Sequence, residues 1–222
     1  MDERFLTQAA KILWRYERVA GLYDRGEVVL CGDEKPPLQV LVRRMPTPPM
    51  RRGQIARREF EYKREGTVTF LAALNVYDGS MWGCGVEAND HGQFLGALRQ
   101  LAWHSRGAHR LHLILDNGSS PIAYATPADL ASHRRLRAFY TPPHASWLHQ
   151  AELLLRAFSD KYLKRFDPQA RQHLLAHLHA SWLAYNRRYA HPFTWSWSCR
   201  DLDAWAREKT MGICSKTSAT VH

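Results

Sequence analysis

The chain has 222 residues, 45% of them apolar, with eight Trp, enough to fill one substantial core and too few for two full domains. Lys and Arg number 31 against 21 Asp and Glu, a formal net charge of +10, which favours a polyanionic partner. No run approaches the roughly 20 apolar residues of a membrane span, the acidic start does not suit a signal peptide, and the four cysteines form no CxxC pair, so a membrane protein, a zinc knuckle and a disulfide scaffold are all disfavoured and a cytoplasmic protein is expected.

Residues 4–23 place Phe5, Ala9, Ile12, Tyr16, Val19, Ala20 and Tyr23 at helical spacing, which predicts an amphipathic helix ended by Gly26. Glu27 to Asp33 is short and nearly all apolar, the pattern of a strand buried on both faces, and it finishes at an acidic residue. From Lys35 to Arg64 five prolines and a density of arginines predict an extended basic loop. Thr67 to Val76 and Ser80 to Val86 flank Asp78-Gly79, a strong hairpin signal.

Asn89 or Asp90 can cap a helix carrying Phe94, Leu95, Leu98, Leu101 and Ala102, and Arg110 to Leu115 returns as a buried strand stopping at Asp116-Asn117-Gly118. Thr126-Pro127 opens a short helix to His133, and Leu136 to Tyr140 reads as a fifth strand closed by Pro142-Pro143. Ser146 caps a helix from Trp147 to about Leu163, and Asp167-Pro168 opens a last one carrying Leu174, Leu175, Leu178, Trp182 and Tyr185. This order implies an α/β fold, a mixed five-stranded sheet with helices on both faces. The boundaries read as an N-terminal helix and linker over 1–26, a main domain over 27–210 and a polar tail over 211–222.

Taken singly, Asp33 and Asp116 are also consistent with turn capping. Taken together they are two acidic strand ends, and adjacent buried strands can finish at one edge of an open sheet, where ligands collect. Two carboxylates there repel unless a cation joins them. Glu152 shares a helical face with His149 and Arg156, which is also the spacing of an ordinary surface ion pair.

The segments Val29 to Glu34, Leu113 to Gly118 and Tyr140 to Glu152 resemble the bacterial insertion-sequence branch of the mariner superfamily of DDE transposases. The likeness extends through Glu61 to Thr67, Tyr185-Asn186 and His191 to Trp195. It implies a ribonuclease-H-like fold in which Asp33, Asp116 and Glu152 bind two Mg²⁺ or Mn²⁺ ions and catalyse DNA cleavage and strand transfer. It also implies transposon ends and target DNA as partners, a homodimer or larger synaptic assembly, and a nucleoid-associated bacterial protein. Hard divalent ions take oxygen ligands, which is why carboxylates are needed.

Three departures lie beside these motifs: His149 stands where Asn is common, Pro121 where His is common, and Glu65 at a commonly basic position. Met1 to Gly26 holds no helix-turn-helix reader, so a separately encoded DNA-binding half or a truncated remnant is expected. A second reading is therefore a catalytically impaired remnant that binds DNA or a partner chain, and a third is a ribonuclease-H-like nuclease acting on RNA–DNA hybrids.

Arg51, Arg52, Arg57, Arg58, Lys63 and Arg64 form the basic cluster best placed for phosphate contact. Arg134, Arg135 and Arg137, and Lys161, Lys164 and Arg165, form two more. His173 and His177 at i,i+4 lack a third ligand and read as structural. Cys31 and Cys84 read as small buried hydrophobes, and Trp182, Trp195, Trp197 and Trp205 as core.

Overall fold

Helix α1 (Glu3–Glu17) buries Ala9, Ile12, Leu13 and Tyr16 on one stripe, and Asp2 caps it by accepting from the Arg4 amide at 3.0 Å. The helix breaks at Arg18 and resumes as α2 (Val19–Asp24), so the single predicted helix is two. These and the elements that follow come from a computed structural model that describes residues 2–45, 52–53, 60–88, 90–117, 133–193 and 195–218.

Strands β1 (Glu27–Arg43), β2 (Tyr62–Asn75), β3 (Met81–Val86), β4 (Arg110–Leu115) and β5 (Leu136–Tyr140) form one sheet in the order β3-β2-β1-β4-β5. β1 runs antiparallel to β2 and parallel to β4, and β4 is parallel to β5. This is the expected α/β mixed sheet of five strands, with the ribonuclease-H-like order. β1 is much longer than predicted. It does not stop at Asp33 but continues beside β2 to Arg43, turning part of the predicted basic loop into a long hairpin. The register slips between Lys35 and Leu38, so Pro36-Pro37 falls at a bulge, where the missing amide hydrogens are tolerated.

At the predicted Asp78-Gly79 turn, Gly79 has φ of +71° and a Cβ there would collide with the His191 backbone, so only glycine fits. Helix α3 (His91–His104) is capped by Asp90, whose carboxylate accepts from the Gln93 amide at 2.9 Å. The short helix predicted from Thr126 lies in 118–132, outside the described residues.

The predicted helix from Trp147 to Leu163 is divided into a 3-10 turn (Ser146–Leu148), helix α4 (Gln150–Phe158) and a π-helical turn (Ser159–Leu163). Helix α5 (Arg171–Tyr189) begins later than Asp167-Pro168, because Asp167 is held by Arg43 at 2.7 Å and Ala170 is extended. Helix α6 (Cys199–Ser218) runs through much of the predicted tail.

The alternation of side chains splits the core between the two sheet faces. Leu71, Ala73, Leu113 and Leu115 line a small cavity with Phe94, Ala97, Leu98 and Leu101 of α3. On the other face Phe70 stacks on Phe158 of α4 at 5.2 Å, and Phe158 meets Tyr185 of α5 edge-on at 6.3 Å. Asn186 closes the edge by pairing with the Met81 backbone, accepting from its amide at 2.8 Å and donating to its carbonyl at 2.7 Å. Among the described residues no helix is long and apolar enough to cross a membrane.

Candidate functional site

The parallel pairing of β1 and β4 ends at Gly32 opposite Leu115, which makes Asp33 and Asp116 the next residues on neighbouring strands. Gly32 leaves the room this needs, since a Cβ there would stand 3.1 Å from Leu113 Cδ1 and 3.2 Å from Leu115 Cδ2. β5 pairs Tyr140 with Leu115 and so brings Thr141 beside Asp116. The buried Thr141 hydroxyl donates to Asp116 Oδ1 at 2.7 Å and accepts from the Asn117 amide at 3.3 Å. Thr141, itself held by the Asn117 amide, therefore orients the second carboxylate.

Asp33 is the more enclosed of the two, and its Oδ1 accepts from the Glu34 amide at 2.8 Å. Burial raises its pKa, and the charges of Asp116 and Glu34 push in the same direction, against His149 and the Glu34 amide. A half-buried carboxylate is repelled by a second one beside it, and an added cation would relieve both the burial and the repulsion.

His149 is the link between this edge and α4. Its Nε2 donates to the Gly32 carbonyl at 2.9 Å, and its Nδ1 lies 3.8 Å from Asp33 Oδ2. Burial works against its charged form, but the sulfur of Cys31 and the carboxylates of Asp33 and Asp116 outweigh it and raise the pKa to about 9. Tyr16 fixes the same segment from α1, donating its hydroxyl to the Leu148 carbonyl at 2.8 Å.

Glu152 sits in the first turn of α4, with Ala151, Leu154, Leu155 and Phe158 turned to the core. Its own side chain is exposed. Among the described residues it makes no ion pair with Arg156 and no hydrogen bond to either aspartate, and no three His, Cys, Asp or Glu side chains converge closely enough to hold a metal ion. The fold thus brings Asp33 and Asp116 together and anchors the start of Glu152's helix to Gly32, while the Glu152 carboxylate stands apart from the pair.

Residues 28–173, more than half of the chain, match the family described as DDE superfamily endonuclease. The chain belongs to this family. A comparison with curated proteins gives no match. Among solved structures this chain is similar to the Mos1 strand transfer complex, at 16% identity and a TM-score of 0.49, over 83% of this chain and 54% of that one. It is similar to the intasome of simian T-cell lymphotropic virus in complex with PP2A regulatory subunit B56 gamma, at 13% identity and a TM-score of 0.41, over 77% and 51%. It is also similar to the Mos1 transposase paired-end complex with the left transposon end, at 17% identity and a TM-score of 0.36, over 85% and 64%. The chain thus spans about half to two thirds of these proteins.

Of the basic residues expected to touch phosphate, Arg51, Arg57 and Arg58 lie outside the described residues. Arg52, Lys63 and Arg64 are exposed, and Lys63 pairs with Glu65 at 2.7 Å. Arg135 is used structurally, donating to the carbonyls of Ala102 at 2.8 Å and Ala108 at 2.7 Å where α3 ends, as cations do at helix C-termini. His177 is structural as expected: its Nε2 donates to the Tyr162 carbonyl at 2.8 Å and its ring stacks on Phe166 at 3.6 Å. Sequence reasoning missed Thr141 and Tyr16. Thr141 was legible in principle as the polar residue just past β5, whereas Tyr16 reads as one more core aromatic.

Proposed function

We propose that this DDE endonuclease domain cleaves DNA and joins its strands, as the catalytic part of a transposase of a bacterial insertion sequence, with Asp33, Asp116 and Glu152 as ligands of two Mg²⁺ or Mn²⁺ ions. The observation that carries the proposal is the strand register that sets Asp33 beside Asp116, the one half-buried and the other oriented by Thr141. The donor set fits: these are hard oxygen ligands, and Glu152 offers an exposed carboxylate that no group among the described residues engages. When bound, such ions supply activation of a water or a DNA 3′-hydroxyl and stabilisation of the leaving oxygen at phosphorus.

The protein's part is positioning. Thr141 and the Glu34 amide each bond one oxygen of their aspartate and so fix the direction of each carboxylate. His149 and Tyr16 hold the segment that enters α4 and so fix where the helix of Glu152 starts. The basic surface, Arg52, Lys63 and Arg64 included, supplies a sequence-independent attraction for phosphate that weakens with salt.

Supercoiled plasmid incubated with the purified chain and Mg²⁺ or Mn²⁺ should be nicked, and Glu152→Ala should lose the activity. A second reading is favoured by the distance of the Glu152 carboxylate from the aspartates: a chain that binds DNA or a partner without cutting. Salt-sensitive DNA binding with no nicking in either metal would establish that one instead.

A further inference from the structure

Thr141, which bonds Asp116, and His149, which lies against Asp33, are the two ends of one short loop. Its crest is Pro142 to Ala145, closed by a bond from the Ala145 amide to the Pro142 carbonyl at 3.2 Å. Proline stands second in this turn, and His144, the third residue, has φ of +61°. That is the type II arrangement, which glycine or asparagine makes most readily. Among the described residues His144 is the one residue other than glycine with positive φ, a conformation that is costly for a side chain with a Cβ.

Nothing in the fold offsets that strain. Pro142, Ala145 and Leu148 are buried and fix the loop, whereas His144 is exposed and its imidazole makes no hydrogen bond, ion pair or ring contact among the described residues. A strained backbone beneath an unused side chain is accounted for when that side chain acts on something outside the chain. Three residues separate His144 from Thr141, a reach of at most about 10 Å, so what it meets lies close to Asp116. Pro143 and Asn117, the residue after Asp116, border a groove of about 780 Å³ whose other wall is the first half of α1, with Arg4, Thr7, Gln8 and Lys11. Arg4 and Lys11 are exposed and hold no ion pair among the described residues. Asp2 and Glu3 also line the groove, so the two signs balance and an anion there is held by individual donors rather than by a field. The hydroxyl of Thr7, the amide of Gln8, the two cations and the ring N–H of His144 are such donors. A series of donors along one groove suits the repeated phosphates of a nucleic-acid strand.

We propose that His144 is a DNA-contacting residue, donating its ring N–H to a backbone phosphate of the strand that lies along this groove, on the Asp116 side of the carboxylate pair. This role rests on the reading of the chain as a DNA-acting enzyme. The loop whose two ends hold Asp116 and meet Asp33 thereby also holds the strand, and one rigid turn sets the distance between the phosphate and the carboxylates. A contact of this kind positions the backbone and reads no base.

The test titrates the full chain into a fluorescent DNA duplex without divalent metal, at about pH 8, above the ordinary histidine range, over a series of salt concentrations. His144→Gly is expected to bind about ten-fold more weakly, as the loss of a hydrogen bond to a charged group implies, and to melt at an equal or higher temperature, because glycine suits the turn. His144→Asn keeps an amide donor and suits the same turn, and is expected to stay within about two-fold of the wild-type affinity. Lys11→Ala is expected to lower the slope of log affinity against log salt by about one, while His144→Gly leaves the slope unchanged. Wild-type affinity in His144→Gly, or equal losses in His144→Gly and His144→Asn, overturns the contact and leaves the DNA reading intact. A lower melting temperature of His144→Gly assigns the imidazole to folding and likewise overturns it. Failure of the wild-type chain to bind the duplex overturns the DNA reading itself.

Discussion

His149 and Gly32 are 117 residues apart in the chain and joined by one hydrogen bond, Nε2 to the carbonyl oxygen at 2.9 Å, in the interior of the protein. Gly32 immediately precedes Asp33 and His149 immediately precedes the helix of Glu152, so this bond ties the segment of the first carboxylate to that of the third. His149→Ala leaves a buried carbonyl unpaired and should lower unfolding free energy by about 1–3 kcal/mol in a denaturant titration. His149→Asn keeps a donor and should recover part of the loss. Equal stability of the Ala variant and the wild type would show that the bond holds nothing.

The pH dependence of stability follows from two sets of groups, one where β1 and β4 begin and one where their pairing ends. Arg15 can only donate, and its Nε lies 3.2 Å from His112 Nδ1, so that nitrogen accepts and the neutral ring donates from Nε2 to Glu27 at 2.6 Å. Burial lowers the His112 pKa, and the bond from His112 lowers that of Glu27. Both groups bind fewer protons folded than unfolded, so their contribution is full above the ordinary His range and is lost as pH falls. Asp33, raised by burial, acts in the opposite sense in the carboxylate range. His149, raised to about 9, gives stability that is complete below the ordinary His value and lost as pH rises through about 9. Melting temperatures across this range should therefore fall at both ends, and His149→Asn should flatten the alkaline fall alone. An unchanged alkaline limb in that variant would contradict the assignment.

Tyr16 is a second long-range tie to the same segment. Tyr16→Phe removes the donor to the Leu148 carbonyl and should destabilise the protein by about 1–2 kcal/mol in thermal or chemical unfolding. No change in stability would mean that the carbonyl finds another donor.

Thr141→Val keeps shape and removes the hydroxyl that donates to Asp116. Stability should fall by about 1 kcal/mol, and the Mg²⁺ concentration for half-maximal nicking should rise, because Asp116 loses its orienting bond. An identical metal titration would show that Thr141 serves folding only.

Much of this architecture was legible in the sequence, and the parts that were not share a physical reason. The apolar runs ending at Asp33 and Asp116 marked β1 and β4 because strands buried on both faces need little but apolar side chains. The extension of β1 to Arg43 was hidden because prolines and arginines read as a loop, whereas a two-stranded hairpin with a bulge accommodates both. Arg135 read as part of a basic surface cluster, and only the fold shows its guanidinium spent on the carbonyls ending α3. The break before α4 arises because the His149 side chain is drawn to Gly32, a contact across 117 residues that no local pattern encodes. Gln150 reads as an ordinary first-turn residue, and only the fold shows its amide buried without a partner among the described residues.

The account turns on Asp33 and Asp116 acting as one cation site. Calorimetric titration of Mn²⁺ into the wild-type chain, Asp33→Asn and Asp116→Asn tests this without requiring DNA or turnover. The wild-type chain should bind Mn²⁺ and each variant should lose the binding, with folding preserved because removing either charge relieves repulsion between neighbours. Undiminished Mn²⁺ binding in both variants would contradict the shared site.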